Sequence, residues 1–195
     1  MLSGVLMFEL RLHGRGGQGI VTAAELIVKA ASIEGKWGQS IPMFGAERRG
    51  APVVAYARIS DKPIRVHSQI YEPDAVAVFD PKIIEIVNVT SGLKNGGVII
   101  LNTSKRPEGL KLDSYKLVIV DATRIAVNLK LITAGFPIVN TAMIGAIVKA
   151  TGLVKLESII TAIRNTWSKE FADENIKAVE TAYKEVMEVN YGDSS

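Results

Sequence analysis

Cysteine is absent from this 195-residue chain. That excludes disulfides, thiolate nucleophiles, and any zinc or iron–sulfur centre held by cysteines of this chain. Imidazole is almost as scarce: His13 and His67 are the two histidines and lie far apart in sequence, so no metal site of its own is expected. Aromatic residues make up 6%, the formal net charge is only +3, and no run of Lys or Arg exceeds two residues. A nucleic-acid surface needs a denser basic patch with interleaved aromatics. Long apolar runs are also missing. Residues 131–148 carry no charge over 18 positions, near the lower limit for a membrane span, but Gly135 and Pro137 interrupt them and they fit a turn leading into a buried helix. Residues 1–7 have no basic stretch ahead of an apolar core and do not resemble a signal peptide. The expectation is a soluble, cytoplasmic protein with no nucleic-acid and no membrane partner.

What is present is ordinary for a globular protein: 48% hydrophobic and 22% charged residues. The length suits one domain, expected over 7–191, with flexible termini at 1–6 and 192–195. A first strand is expected at 8–13, where Leu10 and Leu12 alternate with Glu9 and Arg11. A helix follows at 18–34, its apolar positions Ile20, Ala23, Ala24, Ile27, Ala30 and Ala31 recurring at three and four. A second strand at 37–44 contains Pro42 and so should lie at an edge. A polar loop, 44–52, holds Arg48 and Arg49 between glycines. A hairpin is expected from 52–59 and 64–68 around Asp61-Lys62-Pro63.

Further short strands are expected at 75–79, 98–101 and 117–120. Asp80 should cap a helix at 82–89 with Pro81 in its first turn, and Asp121 a helix at 122–129. Helices at 141–151, stopped by Gly152, and at 156–167 and 171–191 complete the chain, the last two amphipathic. The fold class expected is α/β: a three-layer Rossmann-like sheet with a β-hairpin insertion and C-terminal amphipathic helices.

Chemistry concentrates in His13-Gly14-Arg15-Gly16-Gly17-Gln18-Gly19, between the first strand and the first helix. Glycines let the chain turn sharply and bring peptide N–H groups close to a ligand. The helix start adds unpaired donors and partial positive charge, and Arg15 adds a permanent one. Such a loop suits a phosphate or pyrophosphate. Residues 14–19 satisfy the G-x-G-x-x-G dinucleotide pattern, but the acid expected near the end of the second strand is replaced by Pro42-Met43-Phe44-Gly45. Arg48 and Arg49 suit an anion or a subunit contact. From spacing alone, Asn140-Thr141 reads first as the N-cap of the apolar helix that follows. No nucleophile has an adjacent base and no carboxylates pair in a pocket, so no catalytic residue is assigned.

Residues 8–19 and the loop Phe44-Gly45-Ala46-Glu47-Arg48-Arg49-Gly50-Ala51-Pro52 resemble the gamma subunit of archaeal-type 2-oxoacid:ferredoxin oxidoreductases, most nearly the pyruvate enzyme. Gln69-Ile70-Tyr71-Glu72-Pro73-Asp74, Val120-Asp121-Ala122-Thr123 and Lys149-Ala150-Thr151-Gly152-Leu153 extend the resemblance over most of the chain. It implies a part of an enzyme, not a whole one. In that family thiamine diphosphate, Mg and 4Fe-4S clusters sit on partner subunits (alpha, beta and delta), ferredoxin accepts the electrons, and coenzyme A takes the acyl group. A chain without cysteine fits a subunit that carries no cluster. The resemblance also implies that this chain contacts coenzyme A through Arg15, Gly16, Gly17, Gln18 and Gly19, through Arg48 or Arg49, and through Asn140. The branched-chain, 2-oxoglutarate and indolepyruvate enzymes remain open as alternatives to the pyruvate one. A stand-alone NAD(P)- or flavin-binding protein and a non-catalytic scaffold subunit also remain open.

Overall fold

A computed structural model of the chain describes residues 7–43, 50–105, 107 and 114–189. Arg48 and Arg49, with the rest of 44–49, lie outside the described residues. Strand β1 (Met7–Arg15) runs into helix α1 (Ile20–Ile33), which leads to β2 (Trp37–Met43) and β3 (Pro52–Ser60). Strands β4 (Ala75–Val78), β5 (Val98–Asn102) and β6 (Lys116–Val120) follow, then helix α2 (Ala122–Asn128) and a small hairpin, β7 (Ile132–Thr133) with β8 (Phe136–Pro137). Helices α3 (Asn140–Thr151), α4 (Leu156–Arg164) and α5 (Lys169–Glu185) precede a last strand, β9 (Met187–Val189).

The main sheet has the order β2-β3-β1-β4-β5-β6-β9. Its centre, β1-β4-β5-β6, is parallel; β3 and β2 join one side and β9 the other, all antiparallel. As the proline in its sequence requires, β2 lies at an edge. One face of the sheet presents Leu10, Leu12, Ala55, Ala57, Ala75, Ala77 and Val118 to the helices. The small side chains let α1, with Ala23, Ala24, Ala30 and Ala31, lie close against the strands. Beside α1, helix α3 also lies on the sheet and meets α5 backbone to backbone, since a Cβ at Gly145 would stand 2.2 Å from the Val179 carbonyl oxygen. The opposite face is covered by a thinner layer, in which Ile83, Val89 and Leu93 lie over Val76, Val78, Ile99, Leu101, Leu117 and Ile119. Helices, sheet and this thin layer make the three-layer α/β arrangement anticipated from the pattern of elements.

Three local expectations are corrected. Residues 64–68 form no strand; β3 pairs instead with β1 and β2, so the hairpin is β2–β3. The cause is Arg58, 2% exposed, whose guanidinium donates to the carbonyls of Val66, Ser68 and Gln69 and pairs with Glu9 at 2.7 Å. Those carbonyls are taken by a side chain and not by a ladder. The helix expected at 82–89 is a 3-10 turn, Pro81–Glu85, although Asp80 does cap it and Pro81 does open it. That stretch is rich in β-branched residues, which resist helix, and the carbonyls of Val89 and Ser91 are bound by Arg11. The last helix ends at Glu185, and Met187–Val189 pairs with β6 along what would otherwise be a bare edge.

Candidate anion-binding site

At the carboxyl end of β1 the chain reverses through Gly16 to Gly19. Gly17 and Gly19 adopt φ of 95° and 75°, a left-handed backbone that glycine takes without strain. The Gln18 side chain closes the turn by accepting from the Arg15 N–H at 2.8 Å, while the Gln18 N–H donates to the Arg15 carbonyl at 3.1 Å. The Gly16 N–H donates to Ala51 O at 2.9 Å, and the Gly50 N–H to Gly16 O at 3.2 Å. The exit of the double-arginine loop is thereby pinned to the glycine loop, although its two arginines are not described.

Gly19 is the N-cap of α1, with no side-chain cap and no acid in the first turn. The first N–H groups of the helix are thus left for a ligand or solvent. Against Gly19 lies Asn140, the first residue of α3: a Cβ at Gly19 would come within 2.6 Å of Asn140 Nδ2. Two helix N-termini, each the positive end of a backbone dipole, therefore meet at one point. Asn140 is 4% exposed; its Oδ1 accepts from the Thr141 N–H, and Nδ2 has no acceptor among the described residues. Thr141 Oγ1 donates to Asn175 Oδ1 at 2.9 Å, tying the start of α3 to α5. Among the expected site residues, Arg15, Gly16, Gly17, Gln18, Gly19 and Asn140 are brought together.

Arg15 is more committed than its position in the loop implied. Its Nε donates to Asp80 Oδ2 at 2.6 Å and its Nη1 to Gly50 O at 3.0 Å. Three of its five N–H donors make no bond among the described residues. Asp80 Oδ1 also accepts from the Lys82 N–H at 2.9 Å. Sequence reasoning saw Asp80 only as a helix cap; its place directly after a buried parallel strand, where such sheets bind ligands, was the signal for more. Arg15, Gly16, Gly17, Gln18, Gly50 and Asp80 line a cleft of about 310 Å³, closed on another side by Phe136 and Pro137 of the β7–β8 hairpin.

Beneath the loop, His13 is 4% exposed and its Nε2 has no partner among the described residues. Burial, assisted by the Arg11 charge, pushes its imidazole down to about 4, so it is neutral at physiological pH. Burial likewise lowers Arg11 and raises the Tyr56 phenol. His67 is exposed, near Gln39. No group of three or more metal-ligating side chains occurs among the described residues. No described helix is long and apolar enough to cross a membrane.

Fold and loop together define a Rossmann-like α/β protein with a glycine turn and two helix N-termini gathered at the carboxyl ends of its parallel strands. Residues 9–185 match the pyruvate ferredoxin/flavodoxin oxidoreductase family, and the chain belongs to that family. It is 54% identical over 185 residues, 93% of this chain and 98% of the relative, to the pyruvate/ketoisovalerate oxidoreductases common subunit gamma of Pyrococcus abyssi. It is 50% identical over 186 residues, 95% of this chain and all of the relative, to the pyruvate synthase subunit PorC of Methanocaldococcus jannaschii. The crystal structure of the pyruvate oxidoreductase subunit PORC of Thermotoga maritima superimposes with a TM-score of 0.79 at 35% identity, over 94% of this chain and 99% of that one. The fold alone is shared with a 2-oxoglutarate:ferredoxin oxidoreductase of Magnetococcus marinus, solved with 2-oxoglutarate, coenzyme A and succinyl-CoA bound. The TM-score there is 0.75 at 16% identity, over 91% of this chain and 30% of the longer one. The chain is thus a gamma-type subunit of a 2-oxoacid:ferredoxin oxidoreductase complex, and not a complete active site on its own.

Proposed function

We propose that this chain holds coenzyme A for a complex that oxidatively decarboxylates pyruvate, or a related 2-oxoacid, to an acyl-CoA with reduction of ferredoxin. The observation that carries this reading is the meeting of Gly19 and Asn140. Helix N-termini favour anions, and coenzyme A presents both a pyrophosphate and a 3′-phosphate. In this reading the N–H groups of Gly17, Gly19 and the first turn of α1 face the pyrophosphate, Asn140 Nδ2 donates to it, and Arg15 supplies countercharge. Arg48 or Arg49 completes the set from the neighbouring loop. The thiamine diphosphate, Mg and 4Fe-4S clusters that carry out decarboxylation and electron transfer belong to alpha, beta and delta partners.

The test is the reconstituted complex with Asn140→Ala. Losing a donor to a charged acceptor costs about 1.5–3 kcal/mol, so the KM for coenzyme A should rise on the order of tenfold or more. Pyruvate-dependent reduction of the thiamine-bound intermediate to its radical, followed without coenzyme A, should change far less. Equal loss of both would make Asn140 a structural residue and sink the assignment. Tight binding of NAD(P)H or a flavin to the isolated chain would favour a dinucleotide instead.

A further inference from the structure

Leu10 and Leu12 turn toward the helices, so Glu9, Arg11, His13 and Arg15 project in a row from the other face of β1. Arg58 and Tyr56 of β3 stand beside Glu9 and Arg11 on that face. Two of the three arginines have acids of their own: Arg58 pairs with Glu9 at 2.7 Å and Arg15 with Asp80 at 2.6 Å. Arg11 has no carboxylate partner among the described residues. It is 8% exposed, and its Nη2 donates to Val89 O at 2.8 Å and to Ser91 O at 2.6 Å, yet its Nε is buried without a partner. His13, two residues on and 4% exposed, leaves Nε2 unpartnered as well. Two carbonyls meet part of the guanidinium's hydrogen bonding and none of its net charge, whereas buried charges are ordinarily paired.

We propose that Arg11 and His13 together hold a small monovalent anion, chloride by preference, inside the layer beneath the glycine loop. Arg11 donates to it from Nε and brings the countercharge. His13 donates from Nε2–H, in the tautomer of the neutral imidazole that carries its proton there. Side chains two apart on a strand stand about 7 Å from each other, a gap that one ion spans with a hydrogen bond of about 3 Å to each side. The Arg11 charge is felt at His13, where it helps burial keep the ring neutral. Tyr56, 7% exposed and opposite Arg11, keeps its phenolic proton because burial raises it, and so adds a third donor on the same face.

The kind of occupant follows from charge and space. A water molecule satisfies both orphaned nitrogens but leaves the guanidinium's charge unanswered. One positive charge calls for one negative charge. An organic anion is too large for a place where Arg11, His13 and Tyr56 are each more than nine-tenths buried. The site is separate from whatever the glycine loop binds, but it is not remote from it. His13 is joined directly to Gly14, so the ion braces the end of the strand from which the loop springs.

The test unfolds the full chain in urea near neutral pH in sodium chloride, sodium bromide or sodium gluconate of equal ionic strength, so that general screening cancels. Chloride and bromide should raise the urea midpoint above that in gluconate. Well beyond half-saturation, each tenfold increase in halide should multiply the folding constant about tenfold. His13→Phe, close in shape but without the donor, should weaken halide binding about tenfold or more, and Arg11→Met should abolish the difference between halide and gluconate. Crystals soaked in bromide need no variant: an anomalous peak is expected within hydrogen-bonding reach of Arg11 Nε and His13 Nε2. Coincident curves in halide and gluconate, or an ordered water at that place in the soaked crystals, would overturn the proposal. A bromide peak with no halide-specific gain in stability would mean an adventitious ion only, and overturns it too. If Arg11→Met does not fold, the His13 variant and the bromide peak decide.

Discussion

Arg15 donates from Nε to Asp80 Oδ2 across 2.6 Å, joining the glycine loop at the end of β1 to the cap of the turn after β4. The pair holds the loop's charge in place but also lowers the net positive charge offered to a ligand. Asp80→Asn keeps the shape and removes the charge. It should tighten coenzyme A severalfold at low salt, an advantage that shrinks as salt screens it, and cost about 1 kcal/mol of stability. Weaker binding in the variant would mean that the carboxylate acts mainly by accepting from the ligand.

Gly19 has no room for a side chain. Gly19→Ala forces a Cβ against Asn140 from a backbone at φ 75°, and both the clash and the left-handed backbone oppose it. A loss of about 2–3 kcal/mol is expected by urea denaturation, together with weakened coenzyme A binding. Gly35, also left-handed but with nothing nearby, is the control: Gly35→Ala should cost only about 1 kcal/mol.

Arg58 should be among the most sensitive positions for folding. Arg58→Met leaves Glu9 and the carbonyls of Val66, Ser68 and Gln69 without their donor, and losing one partner of a buried pair costs about 3–5 kcal/mol. The double variant Arg58→Met with Glu9→Gln should recover part of this. Strictly additive losses in the double-mutant cycle would show that the two residues are not coupled.

His13 gives the fold a pH dependence of known sign. Its imidazole titrates near 4 when folded and near 6.5 in an unfolded chain, so the unfolded state takes up the proton first as pH falls. Stability from this group is full above about pH 6.5 and is lost progressively down to about pH 4, roughly 3 kcal/mol in all. Urea midpoints measured between pH 7.5 and 4.5 should slope less in His13→Leu than in the parent. Identical slopes would refute the assignment.

Much of this arrangement was legible in the chain. Alternation in β1, the glycine turn, the alanine-rich face of α1, the caps at Asp80 and Asp121 and the left-handed stop at Gly152 are all local, and local chemistry decides them. What could not be read depends on distant partners. Residues 64–68 pattern as a strand until a buried arginine takes their carbonyls. The amphipathic pattern of the last helix runs on in the sequence past Glu185, but residues 187–189 pair with the open edge of β6 instead. Asp80 and Phe136 reach the cleft only because β4 lies beside β1 and the hairpin folds toward the same end of the sheet. The contact of Gly19 with Asn140 needs α1 and α3 to share one core.

At Gly145 the backbones of α3 and α5 meet with no space for even a methyl group. Five residues, or about 7–8 Å along the helix, separate that point from Asn140. α3 is therefore braced from behind, and its leading residue has nowhere to recoil when an anion arrives. On the proposed reading, coenzyme A would meet a preset mould, with the reorganisation completed during folding. A single added methyl at Gly145, touching no ligand atom, should displace that mould and loosen coenzyme A from a distance.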